Sequence, residues 1–282
     1  MSQSSLTSFQ RHLKAQGKRP HTIDRYATIV GRFLREAGVP DEAVTAQHAY
    51  AWLVERGNAS GVSSAWYNVI FHAVVAYLTM RGLSTELQGL RPKRVPIQPP
   101  RWFTKADTRK LLASVEQRHF RLLFQLMLAT GLRIAEAIAL QVSDLDRDRP
   151  LIRVRCGKGG DGRLVTMPPV LHQRLRAYWC SFKPTGVLFQ RIPGVDDRPL
   201  LFATVHAALQ RAGAKAGFTE PVSSHRLRHS YAIHSLRGGM DVVTLQKSMG
   251  HRRLESTVRY LTPDMIRPGV VVDLLNDLEI DP

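Results

Sequence analysis

The chain has 282 residues, 44% of them hydrophobic and 22% charged, which allows two compact cores and excludes a disordered or fibrous protein. Forty Lys/Arg stand against 23 Asp/Glu, net +17, and this excess runs through both halves of the chain; it suits a polyanionic partner, because each neutralised phosphate releases counterions. Cys156 and Cys180 alone exclude a disulfide framework and a four-thiolate zinc site, while the polar stretch Met1 to Gln10 and the lack of a long apolar run predict a reduced, cytoplasmic, nucleoid-associated protein.

The first ninety residues read as four amphipathic helices. Ser5 to Gln16 carries Leu6, Phe9 and Leu13 at helical spacing, and Gly17 ends it. Thr22 is the expected cap of a second helix, with Ile23, Tyr26, Ile29 and Phe33 on one face. Thr45 caps a third, carrying Tyr50, Trp52 and Leu53. Ser63 or Ser64 opens a fourth, with Trp66, Ile70, Val74 and Leu78. Short connections predict a small bundle in which these aromatic residues are core.

Residues 91–101 differ in texture. Four prolines deny helix and sheet ladders, so the segment reads as an extended linker. Its cations, Arg91, Lys93, Arg94 and Arg101, suit either a strap along a phosphate backbone or a solvated linker.

Residues 102–282 read as a second domain. Thr104 caps a helix to about Val115, an apolar helix breaks at Gly131, and Leu132 to Leu140 resumes it. Pro150 to Cys156 and Arg163 to Met167 alternate as strands around a glycine-rich turn that holds Lys158. The turn is not a phosphate-binding P-loop, since no Lys-Ser/Thr closes it and a strand follows. Helices then continue to the end, with an amphipathic stretch over 270–280.

Candidate chemistry concentrates in His225-Arg226-Leu227-Arg228-His229, in Gly250-His251 and in Tyr260. His225 and His229 share a helical face, as zinc ligands can, but Arg226 and Arg228 beside them oppose a metal. His229 reads as a structural histidine. Arg133 follows the glycine break, and Glu136 at i+3 is placed to orient it. Tyr260 is a poor nucleophile unless cations surround it and a base takes its proton.

Taken together, these segments resemble the tyrosine recombinases, also called the phage integrase family. Ala129-Thr130-Gly131-Leu132-Arg133-Ile134-Ala135-Glu136-Ala137 is similar to the family's first arginine box, and Gly157-Lys158-Gly159 to its lysine turn. His225-Arg226-Leu227-Arg228 is similar to its His-x-x-Arg box. Gly250-His251, with Thr257 and Tyr260 behind it, is similar to the last motif.

The resemblance implies a mainly α fold with a small antiparallel β-hairpin in the catalytic domain. It further implies a two-domain C-shaped clamp: residues 1–90 a helical core-binding domain, 91–101 the linker, and 102–282 the catalytic domain. It implies that Arg133 and Arg228 grip the scissile phosphate, that Tyr260 attacks phosphorus, and that Lys158 protonates the leaving oxygen. His225 would act as acid–base, His251 would hydrogen-bond the phosphate, and Glu136 would hold the cluster. The implied partners are duplex DNA with inverted-repeat sites and further copies of the chain, as a dimer and a tetramer. No metal, cofactor or ATP is implied. A scaffold that binds DNA without strand exchange, a type IB topoisomerase-like relaxing enzyme and a metal-dependent hydrolase are the rival readings.

Overall fold

The computed structural model of the protein describes residues 3–83, 85, 87, 89–95, 99–155, 162–261 and 265. The chain divides into two compact units, Met1–Ile97 and Gln98–Pro282, each with its own hydrophobic core. The described residues are mostly helical, with one two-stranded antiparallel sheet. None of their helices is long and apolar enough to cross a membrane.

The first unit holds α1 (Gln3–Ala15), α2 (Pro20–Glu36), α3 (Ala46–Asn58) and α4 (Ser64–Met80), with a short 3-10 turn at Asp41–Ala43. Phe9, Leu13, Val30, Phe33, Trp52, Leu53, Tyr67, Val74 and Tyr77 meet in the core. Thr45 and Ser63 cap α3 and α4 by accepting hydrogen bonds from the backbone N–H groups of His48 and Trp66. Thr22 is not a cap. Helix α2 begins at Pro20, whose fixed φ and missing N–H suit the first helical position. Trp66 is also not core: the buried stripe of α4 runs through Tyr67, Ile70, Phe71, Val74, Tyr77 and Leu78, which leaves Trp66 exposed beside Arg25.

The second unit opens with α5 (Lys105–Ala113), capped by Thr104, and continues with α6 (Arg118–Thr130) and α7 (Ile134–Ile138). Strands β1 (Leu151–Val154) and β2 (Arg163–Thr166) pair antiparallel, with Leu151 opposite Thr166 and Val154 opposite Arg163. Single β-bridges such as Leu145 to Ile152 extend this region. Then come α8 (Pro169–Phe182), α9 (Phe202–Lys215), α10 (Ser224–Arg237), α11 (Val242–Met249) and α12 (Glu255–Val258). Helices α6 and α10 pack side by side at the centre. The resumed helix is shorter than its sequence suggests, because Leu132 and Arg133 remain outside α7. Lys158 on the hairpin turn and the amphipathic stretch 270–280 lie outside the described residues.

Candidate active site

Two helix ends prepare the site. Helix α6 stops at Gly131 (φ +65°) and α11 at Gly250 (φ +63°), both in the left-handed region that favours glycine. Each also lacks room for a side chain: a Cβ at Gly131 would lie 2.3 Å from the Tyr231 ring, and one at Gly250 would lie 2.8 Å from Arg163. The turns leave carbonyls at helix C-termini, where partial negative charge favours cations.

The guanidiniums take up those carbonyls. Arg228 is only 5% exposed; its Nη1 donates to Gly131 O and its Nη2 to Met249 O, the latter at 2.6 Å. Arg133, at 45% side-chain exposure, donates from Nη2 to Gly250 O at 3.1 Å and from Nη1 to Glu136 Oε1 at 2.8 Å. Each guanidinium has five N–H groups, so both keep donors for an anion. Burial lowers the Arg228 pKa to about 10, with the neighbouring Arg133 adding to the effect. Arg228 therefore stays charged near neutral pH.

Glu136 neutralises part of this charge. It accepts from the Arg133 backbone N–H and side chain, and from Arg163 Nη1 and Nη2 at 3.0 and 2.8 Å. Burial alone would raise its pKa, but the Arg163 and Arg133 hydrogen bonds outweigh this and hold it at about 2. Arg163, at the start of β2, also donates from Nε to Ser248 O at 2.7 Å. It thereby ties the hairpin to α11. Sequence reasoning missed Arg163, because its partners lie 27 and 85 residues away.

Tyr260 follows α12 and is 3% exposed, its ring packed with Tyr231, Ile233, Leu245 and Met249. Burial raises its pKa, and Arg228, Arg259 and Arg133 offset only part of the effect. Two imidazoles flank it. His251 stacks on the ring at 6.2 Å, and its Nδ1 lies 2.8 Å from the hydroxyl of fully buried Thr257. His229 Nδ1 lies 2.9 Å from the Tyr260 hydroxyl. Burial lowers both histidines to about 4; His251 also feels Arg228 and Arg133, and His229 feels His225 and Arg259.

The expected residues do not all converge. Arg133, Glu136, Arg228, His251 and Tyr260 come together as described. His225 is exposed, one turn before His229, with ring centroids 6.4 Å apart. Among the described residues no hydrogen bond joins His225 to Tyr260. The histidine on the phenol is His229, which the sequence suggested was only structural. Two of the linker cations have partners within their own units. Lys93 Nζ donates to Gly57 O and lies over the Tyr67 ring, and Arg101 pairs with Glu220 at 2.6 Å. Arg91 and Arg94 are exposed.

Arg133 and Arg163 around one carboxylate, with Arg228 close by and a buried tyrosine beside them, leave guanidinium donors that can receive an anion. Residues 101–267 match the model of the phage integrase family. The chain belongs to this family. The tyrosine recombinase XerA of Thermococcus kodakarensis is 34% identical over 262 residues, covering 90% of this chain and 89% of the relative. Among solved folds, a lambda integrase (75–356) dimer bound to a COC' core site matches with a TM-score of 0.72 at 18% identity, covering 91% of this chain and 94% of that one. A XerA recombinase crystal structure matches over the whole of both chains, with a TM-score of 0.52 and 22% identity. Family membership selects site-specific DNA recombination over the rival readings.

Proposed function

We propose that this integrase-family chain cleaves and rejoins duplex DNA through a 3′-phosphotyrosyl link at Tyr260. The observation that carries the reading is the Tyr260 phenol itself: its hydroxyl pairs with His229 Nδ1, its ring stacks on His251, and the charges of Arg228 and Arg133 act on it. Arg133 and Arg228 hold the non-bridging oxygens of the scissile phosphate and stabilise the charge that grows there. The Tyr260 oxygen attacks phosphorus as the bond to the 5′ oxygen breaks. Lys158 protonates that leaving oxygen, His225 takes the proton that the Tyr260 hydroxyl loses and returns it in the reverse step, and His251 hydrogen-bonds the phosphate. Glu136 holds the arginines in place. One phosphoester replaces another, so religation to a 5′-hydroxyl needs no ATP, and fixed cations stand where a metal would otherwise act.

The first unit is read as the core-binding half of a clamp, with its four helices as a bundle, and the second as the catalytic half. The exposed linker cations Arg91 and Arg94 meet the phosphate backbone. The partner is duplex DNA with inverted-repeat sites, bound as a dimer and joined as a tetramer, in the cytoplasm at the nucleoid. The net charge of +17 and the relatives' DNA complexes support this assignment. A nicked suicide duplex carrying the flanking repeats tests it. Wild-type protein should form a covalent adduct in EDTA and without ATP, and Tyr260→Phe should form none. An adduct that persists in Tyr260→Phe removes Tyr260 as nucleophile, and loss of activity in EDTA brings back the metal-dependent reading.

A further inference from the structure

Helix α10 carries three of these side chains within about one turn: Arg228 reaches the carbonyls of Gly131 and Met249, and His225 and His229 stand four residues apart with ring centroids 6.4 Å apart. The outer imidazole, His225, is exposed. The inner one, His229, is partly buried and lies with Nδ1 at 2.9 Å from the Tyr260 oxygen, rings 5.4 Å apart. The two histidines therefore face different things, solvent and the phenol.

We propose that His229 is the residue that positions Tyr260 for attack, by accepting the phenol's hydrogen bond at Nδ1 as a neutral imidazole. The inference rests on the reading of Tyr260 as nucleophile and divides the work of the histidine pair. His225 remains the acid–base of the proposed function: it receives the phenol proton as the oxygen bonds to phosphorus, and His229 holds the hydroxyl up to that step. His229 fixes the direction of the phenol oxygen, a task that needs a lone pair and not a charge. Its surroundings agree: His225, Arg259 and Arg228 all disfavour an imidazolium there, and burial holds the ring neutral at working pH. With the ring proton on Nε2, Nδ1 is left as the acceptor. Packing alone does not fix the hydroxyl: among the described residues its hydrogen-bond partner is His229 Nδ1. A misplacement of the attacking atom by about 1 Å is enough to cost about 100-fold in rate.

The test uses full-length protein and the suicide duplex under single-turnover conditions. His229→Leu should slow adduct formation about 100-fold while DNA affinity stays within about twofold of wild type. His229→Asn, whose amide oxygen can stand near the Nδ1 position, should recover most of the rate. Nitrogen-15 resonances of the histidine rings give a second readout that requires no DNA: the His229 Nδ1 signal should be that of a neutral acceptor and should shift in Tyr260→Phe. Cleavage by His229→Leu at the wild-type rate overturns the proposal. Equal losses in the Leu and Asn variants, with no change in the Nδ1 signal on Tyr260→Phe, also overturn it and make His229 a packing residue. If Tyr260→Phe still forms the adduct, the nucleophile assignment itself fails and this inference goes with it.

Discussion

Glu136 is the residue on which the arginine cluster balances. Among the described residues it is the one carboxylate hydrogen-bonded to Arg133 and Arg163, and its side chain is 17% exposed. Replacing it by glutamine keeps the shape and removes the charge, so both guanidiniums lose their counterion. Removing one partner of a buried pair costs about 3–5 kcal/mol; exposure here reduces the expected loss to about 2 kcal/mol. Urea unfolding of Glu136→Gln should show that loss, together with weaker adduct formation as Arg133 loses its orientation. A variant as stable as wild type would mean that Arg133 and Arg163 find solvent instead. The Glu136–Arg133 relation was legible in the sequence because both residues sit on one turn after a glycine break. Arg163 was not, because a strand-start arginine carries no local signal of a carboxylate 27 residues earlier. His229 was read as structural because helical spacing reveals which face a ring occupies, not which tyrosine waits across the gap.

At the level of elements, the site depends on where helices stop. Caps with side-chain oxygens, Thr45, Ser63 and Thr104, were readable because their mechanism is local. The cap of α2 lies three residues before Thr22, at Arg19, since Pro20 begins a helix without such an oxygen. Gly131 was readable as a break, but not as the carbonyl that receives Arg228 from 97 residues away. Its substitution separates the two roles of the turn. Gly131→Ala should lose about 1–2 kcal/mol from the left-handed backbone alone, and more from the Tyr231 ring that occupies the Cβ position. Gly217, at φ +78° with open space around it, is the natural control. Gly217→Ala should show only the backbone cost and normal cleavage, whereas Gly131→Ala should also cleave slowly as Arg228 shifts. Equal stability losses and equal cleavage in the two variants would show that the Tyr231 contact relaxes freely.

For the whole molecule, the two cores and the proline-rich boundary between them follow from hydrophobic spacing, while the balance of charge within the second unit arises only on folding. Three histidines there, His119, His229 and His251, have pKa values lowered by burial, the last two to about 4. Their unfolded values lie near 6.5. Between pH 6.5 and 4 the unfolded chain therefore binds protons that the folded chain refuses. The proton difference favours the unfolded state as pH falls, so the stability present above pH 6.5 is lost progressively toward pH 4. Glu136 extends the loss: held at about 2 in the fold, it contributes stability that is present above about pH 4.5 and disappears as pH falls through 2. Each fully coupled proton tilts stability by about 1.4 kcal/mol per pH unit. Urea titrations at pH 7, 6 and 5 should therefore show a steady decline, and the double substitution His229→Asn with His251→Asn should flatten it. A profile that stays level from pH 7 to 5 would mean that these imidazoles charge without opening the fold, and that the polar core of the site is wetter than its hydrogen bonds indicate.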